Sequence, residues 1–349
     1  MHLQIFIICK KHSKKVIKII NQRTLNFILT IDTEGDNQWD HGRELTVENI
    51  KFVPRFQEMC EKYHIKPTYL VTSEVCEDSF AKEIFTNYST KDKAEIGTHL
   101  HSWTSPPFQD KDGYRFNDPN HAFATEFPDK VLSEKVRILT DQIEHSYGKR
   151  PLSFRSGRFG FNENLAKILY NNHYLIDSSV TPFTSWTSYN GIPGGIGGPD
   201  FIDRTPFPYR YTFEKGSLLE IPVTILPTKF PMNKNKAIAN YYFRNVDNSL
   251  FLRLFRKLLF SNQPLWLRPH QWMNINLFEE IIGEAKNIKL PYLVMMFHSS
   301  ELMPGCSIYR KDKNSIEKLY DLLECFFALL SKENIDSLTL CEAAINCEL

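Results

Sequence analysis

The 349-residue chain holds no C-x-x-C pair, and its seven cysteines, at 9, 60, 76, 306, 325, 341 and 347, are scattered and odd in number. A zinc ribbon and a disulfide framework are therefore not indicated, and reduced thiols in the cytoplasm are the simplest account. No apolar run approaches the ~20 residues of a membrane span. The run Leu3 to Cys9 is short and precedes the cluster Lys10, Lys11, Lys14, Lys15, Lys18, the reverse of a secretory leader. Residues 1–24 are expected to be an extension outside a main fold spanning 25–345. A formal net charge of +1 provides no global field, so charge does not point to nucleic acid. The Gly-rich 191–199 stretch lacks the Lys-Ser/Thr of a phosphate loop, and no G-x-G-x-x-G follows a strand. Repeats and low-complexity segments are missing too.

What is present is a 42% hydrophobic chain with 13% aromatics, enough for a large core. Apolar runs at 26–31, 68–71, 94–101, 152–155, 174–178 and 292–297 read as strands. Helical patterns fall between them at 47–63, 79–85, 130–147 and 163–171, and a long one follows at 315–330. Pro54 inside the first helical pattern predicts a kink or a late start. The alternation implies a parallel α/β sheet or barrel. Regularity is lost over 180–290, where a strand at 218–223 and helices at 249–260 and 277–285 are expected. Leu250–Phe260 carries Arg253, Arg256 and Lys257 on one side, a pattern that suits a solvated helix face or peripheral contact with a membrane.

Three of these apolar runs end in side chains fit for metal or proton chemistry. The first closes on Asp32, Glu34 and Asp36, the third on His99 and His101, and the last on His298. Residues i and i+2 of a strand share a face, so His99 and His101 can point together. Such an imidazole pair with a carboxylate suits Zn²⁺ and leaves a position for water. A histidine such as His298 titrates near working pH and can act as a general acid. Arg155 and Arg158 flank Gly157, where a guanidinium can hold a carboxylate. Asp177 closes another strand. Trp103, Trp186, Trp266 and Trp272 can stack on sugar rings, although core packing is the commoner role of tryptophan.

In chain order these pieces resemble the polysaccharide deacetylase family with its NodB-type domain, and most of all its lipopolysaccharide-biosynthesis (WalW-like) branch. The stretches Thr30–Asp36, Glu95–Trp103 and Met296–Glu301 carry the resemblance. It implies a distorted (β/α) barrel of seven or eight strands, with 180–290 a long insertion shaping the substrate cleft. It also implies a divalent metal, usually zinc, and hydrolysis of N-acetyl groups from an amino-sugar-containing polysaccharide or its precursor. Asp32 matches the general base, His99 the first metal histidine, and Arg155 (or Arg158) the arginine that steadies the base. Asp177 matches the acid that tunes the catalytic histidine, and His298 that histidine itself. Two positions depart from the pattern. Thr33 stands where the metal acid normally follows the base, so Glu34 or Asp36 must supply the carboxylate. Trp103 stands where the second metal histidine belongs, so His101 must substitute, leaving Trp103 and Arg158 as candidate substrate contacts. The rival readings are a metal amidohydrolase of small molecules and a degenerate glycan-binding relative.

Overall fold

A strand buried on both faces reads as an unbroken apolar run, because neither face meets water. Asn26–Thr33 is such a run, buried from Phe27 onward, and in the computed structural model it is β1, an interior strand of the main sheet. The structure describes residues 24–36, 38, 44–108, 122–191, 194–195, 197–246, 249, 252, 254 and 264–347. Apart from Thr24, the expected N-terminal extension lies outside the described residues. So do most residues of the basic 250–260 stretch.

The other strands are β2 (Pro67–Val71), β3 (Glu95–Leu100), β4 (Ser153–Ser156), β5 (Ile176–Asp177), β6 (Tyr209–Phe213), β7 (Gly216–Glu220), β8 (Ile225–Leu226), β9 (Leu265–Trp266), β10 (Tyr292–His298) and β11 (Ser337–Leu338). Nine of them form one sheet in the order β10-β1-β2-β3-β4-β5-β7-β6, with β11 also pairing β1. Every pairing is parallel except that of β6 with β7. The sheet curls into a half-barrel. Beyond β7 the chain returns to β10: Thr224 N donates to Val294 O at 3.1 Å, and Val294 N donates to Thr224 Oγ1 at 2.8 Å.

Strand alternation then sorts the core into two layers. Ile28, Leu70, Ile176, Leu219 and Val294 pack together on the inner face. The alternate residues Phe27, Leu29, Ile31, Tyr69 and Val71 face outward into a larger cluster with the helices. There Phe27 meets Phe326 edge-on at 5.4 Å, on the long helix Lys313–Lys332.

Some elements settle a choice the sequence left open, and others differ from expectation. Pro54 produces the late start: a 3₁₀ turn at Glu48–Phe52 precedes an α-helix at Val53–Lys62, with the proline in its first turn. A proline costs nothing there, since its missing N–H would have no helical partner. The region 180–290 also does more than decorate a barrel, because β7 lies within it and pairs with β5. The helix Lys236–Asn245 was not anticipated. The chain closes on the short strand β11 at Ser337–Leu338, after which comes the helix Leu340–Asn346, started by a capping box in which Thr339 and Glu342 exchange hydrogen bonds. Among the described residues no helix is long and apolar enough to cross a membrane.

Candidate functional site

Parallel strands bring their C-terminal ends to one rim, where register decides which side chains meet. Asp32 of β1 is the register partner of His298 of β10, and His99 of β3 is that of Arg155 of β4. All four are buried or nearly so, on the inner side of the sheet.

Arg155 organises this rim. It is fully buried and makes four hydrogen bonds: Nη1 to Asp32 Oδ1 at 2.7 Å and to Thr30 Oγ1 at 2.8 Å, Nε to Ser178 O at 2.7 Å, and Nη2 to Ser178 Oγ at 3.0 Å. Burial pushes the Asp32 carboxyl up, but Arg155, then His99 and His298, outweigh it and hold the group at about 2. Asp32 is therefore an ionised, fixed carboxylate, the form a proton acceptor requires.

Glu34 Oε2 lies 3.1 Å from His101 Nε2 and 3.8 Å from His99 Nε2. One ligand atom from each of these three buried residues falls within a mutual 4.8 Å. Donors ~2.0–2.1 Å from a tetrahedral zinc would stand about 3.3 Å apart, so small adjustments suffice. The donor chemistry also fits. His99 Nδ1 lies 3.0 Å from Arg155 O and can only donate to that carbonyl, which leaves Nε2 with a free lone pair. Burial lowers both imidazoles to about 4, so they are neutral near pH 7 and able to ligate. His101 Nδ1 is buried without a partner, and its ring is held by stacking on Trp103, 4.4 Å between centroids. Burial raises the Glu34 carboxyl despite the opposing pull of His298 and His99, and a bound cation would compensate for that.

Asp36, the other candidate acid, is turned to a different task. Its carboxylate accepts from Thr46 Oγ1 at 2.7 Å, Glu48 N at 2.8 Å, Asn49 N at 2.9 Å and Asn49 Nδ2 at 2.6 Å. It caps the 3₁₀ turn at Glu48–Phe52 and takes no place among the three clustered ligand atoms. The two acids left open by sequence are thus separated.

Asp177 stands elsewhere than the resemblance implies. Its register partners are Phe154 of β4 and Glu220 of β7, one residue out of step with Arg155, so it projects from the opposite face of the sheet. It accepts from Ser179 N and Ser179 Oγ at 2.9 and 2.8 Å. Ser179 Oγ in turn accepts from Ser156 N at 2.9 Å. Glu220 accepts from Val180 N at 3.1 Å. Burial raises both carboxyls, and Asp177 opposes ionisation of Glu220 while the hydrogen bond from Glu220 draws Asp177 back down, so the pair retains a proton on Glu220. This pair pins the Ser178–Val180 turn whose Ser178 grips Arg155.

The partners of His298 are instead Glu301 and Arg268. Arg268 Nη2 lies 2.6 Å from Glu301 Oε1 and 3.0 Å from His298 Nδ1, and Glu301 Oε1 is 3.4 Å from the same nitrogen. Burial alone would lower His298, but Glu34, Glu301 and Asp32 raise it above its ordinary 6.5. Glu301 is pushed up by burial and held at about 2 by Arg268, then His298. Arg268 has no sequence signature: it sits in a Pro-containing turn after the two-residue strand β9.

These groups open on one cavity of about 450 Å³. Its outer wall is aromatic: Phe159 stacks on Trp186 at 5.4 Å and meets Trp266 at 5.8 Å. Arg158 reaches over the Trp103 ring, 5.2 Å from its centroid, and Trp103 Nε1 donates to Gln38 Oε1 at 3.1 Å. Both Arg158 (φ 51°) and Phe159 (φ 59°) have left-handed backbones, which costs on the order of 1–3 kcal/mol each and clusters at functional sites. Trp272 also stacks on His270, a cavity-lining residue, at 5.1 Å.

No protein-family model and no curated protein matches the chain. Solved structures do. A Mycobacterium smegmatis protein put forward as a polysaccharide deacetylase is 15% identical, with a TM-score of 0.50 over 85% of this chain and 77% of its own. A 4-alpha-glucanotransferase from Thermococcus litoralis is 12% identical, with a TM-score of 0.53 over 93% of this chain but 41% of its own. A peptidoglycan N-acetylglucosamine deacetylase is 10% identical, with a TM-score of 0.43 over 92% of this chain and 87% of its own. The first two fix the fold as a curled, parallel-rich α/β half-barrel of the kind seen in a polysaccharide-deacetylase-like structure. They bear descriptions of unlike chemistry, so the choice of reaction falls to the side chains.

Proposed function

We propose that the chain is a metal-dependent carbohydrate N-deacetylase, hydrolysing acetamides on an amino-sugar-containing polysaccharide or its precursor. One observation carries the reading. Glu34, His99 and His101 converge as metal donors in the same cavity that holds an Arg-clamped Asp32 and a histidine of raised pKa, His298.

Glu34, His99 and His101 would hold the cation, Zn²⁺ by their donor set. When bound, it would lower the pKa of its water to about 7 and polarise the acetyl carbonyl. Asp32 takes the proton from the attacking water at Oδ2, since Oδ1 is engaged by Arg155. His298 then delivers a proton from Nε2 to the departing amine, because its Nδ1 faces Arg268 and Glu301. Each transfer contributes ~10²–10⁴-fold. The 180–290 region supplies Trp186, Tyr189, Trp266 and Arg268 to the cavity, and we assign it the shaping of the glycan cleft. Trp103 and Arg158 contact the glycan. We place the enzyme in the cytoplasm on a lipopolysaccharide-type precursor, with at most peripheral membrane contact. The six described cysteines without disulfides support that compartment.

The test is acetate release from N-acetylated oligosaccharides by the purified protein, beside its metal content. Release should need a divalent metal and vanish on chelation. Asp32→Asn should keep the metal and lose activity, whereas His99→Ala should lose both. Tight glycan binding with no metal taken up would sink the hydrolase and leave a binding relative. Release from small amides alone would favour the amidohydrolase.

A further inference from the structure

Most described arginines spend their charge within the protein: Arg55 on Glu317, Arg137 on Glu134 and Asp141, Arg155 on Asp32, Arg244 on Asp200 and Asp203, and Arg268 on Glu301. Arg158 differs. It lines the cavity, yet forms no hydrogen bond or ion pair with any described residue, and its guanidinium rests on the Trp103 ring. Glu126 is the acid in its field, and that carboxylate already accepts from Phe123 N at 3.0 Å. The side chain is carried on a left-handed backbone that a glycine would adopt freely. A strained position at the cavity is thus occupied by a charge that has no hydrogen bond or ion pair among the described residues. Through Trp103 it lies two stacking steps from His101, 5.2 Å and then 4.4 Å.

We propose that Arg158 is an oxyanion subsite, so that the glycan bears a carboxylate or phosphate on or beside the sugar whose acetamide reacts. This rests on the deacetylase reading for its placement. A guanidinium offers two parallel N–H donors to such a group, and its apolar face keeps its contact with Trp103. The aromatic wall of Phe159, Trp186 and Trp266 receives the uncharged faces of the sugars.

The experiment is a tryptophan-fluorescence titration of the zinc-loaded full chain with three probes. These are a neutral N-acetylglucosamine oligomer, an equally long oligomer alternating N-acetylglucosamine with glucuronate, and the neutral oligomer carrying a terminal phosphate. One charged probe should bind about tenfold or more tighter than its neutral counterpart, the usual gain from a charge-assisted pair. The carboxylate and phosphate arms separate the two sources of oxyanion. The advantage should fall when salt rises from ~0.05 to ~0.5 M. It should shrink to within about twofold in Arg158→Gln and survive in part in Arg158→Lys. Arg158→Gly should lose the advantage while raising Tm, because the backbone strain is relieved, so misfolding cannot explain the loss. Failure of the wild type to favour either charged probe, or an undiminished advantage in Arg158→Gln, overturns the subsite. Acetate release measured in parallel keeps the two readings apart. Charge preference without release defeats the deacetylase and leaves the subsite. Release without charge preference does the reverse.

Discussion

Asp32 and Asp177 make a natural comparison. Both are wholly or almost wholly buried carboxyls at the C-terminal ends of strands of one sheet, and their surroundings shift their pKa values in opposite directions. Asp32 faces inward onto Arg155 and is held ionised near 2. Asp177 faces outward onto Glu220, where burial raises it against the hydrogen bond that Glu220 provides. Burial is equal, so the neighbour decides. The two are also linked: the turn braced by Asp177 and Glu220 carries Ser178, whose carbonyl and hydroxyl hold the guanidinium that holds Asp32. A proton-sharing pair on the outer face thus supports an ionised pair on the inner one.

Removing the cation between them should have the largest effect. Arg155→Met leaves Asp32 buried without its partner, which typically costs ~3–5 kcal/mol. Asp32 should rise well above 2, and acetate release should fall by ~10²-fold or more, as the base loses both charge and orientation. Urea unfolding and rate measurements check this. A loss of stability under ~1 kcal/mol would show that the inner pair is not held as the comparison requires.

A smaller effect is expected at Glu301, the acid beside His298. His298 must be protonated to serve as the acid, so activity falls as pH rises through its pKa. Burial lowers that pKa, while Glu34, Glu301 and Asp32 raise it. A cation on Glu34 cancels much of that residue's share, leaving Glu301 as the nearest carboxylate. Glu301→Gln should therefore move the alkaline limb of the kcat/KM profile to lower pH by roughly one unit, with a modest fall in the plateau. A limb that stays put would mean another group sets it.

The strand–helix alternation, and the rim residues Asp32, His99, His101 and His298, were readable from sequence because each lies within a few residues of an apolar run. Burial and chemistry are encoded together there. The choice between Glu34 and Asp36 was not readable, since both follow the same strand. It depends on the donors of Thr46, Glu48 and Asn49 a loop away. Asp177 carried a misleading signal: an acid at a strand end looks alike whichever face it takes, and a one-residue change of register reverses that face. Arg268 reaches His298 from 30 residues upstream through a turn with no periodicity. The Thr339–Glu342 capping box was legible in principle as T-x-x-E, and it accounts for the final helix.

The finest test of the comparison is Glu220→Gln, where little should change. Glu220 already carries the proton it shares with Asp177, so an amide can donate in its place and still accept from Val180 N. We expect a cost under ~1 kcal/mol near pH 5, against ~1–3 kcal/mol for Glu220→Ala, which leaves buried partners unmet. The pH dependence carries the sign. The unfolded chain loses these protons above the ordinary values of 3.8 and 4.5, while the folded pair keeps them. The folded state then binds more protons, and its stability declines as pH rises through that window. Asp32 works the other way, its contribution disappearing as pH falls from 3.8 toward about 2. Denaturation of Glu220→Gln and wild type from about pH 5 to about pH 8 should therefore show the variant gaining on the parent as pH rises. A constant difference across that range would mean that Asp177 and Glu220 are both ionised, and the two strand ends would no longer differ in the way proposed.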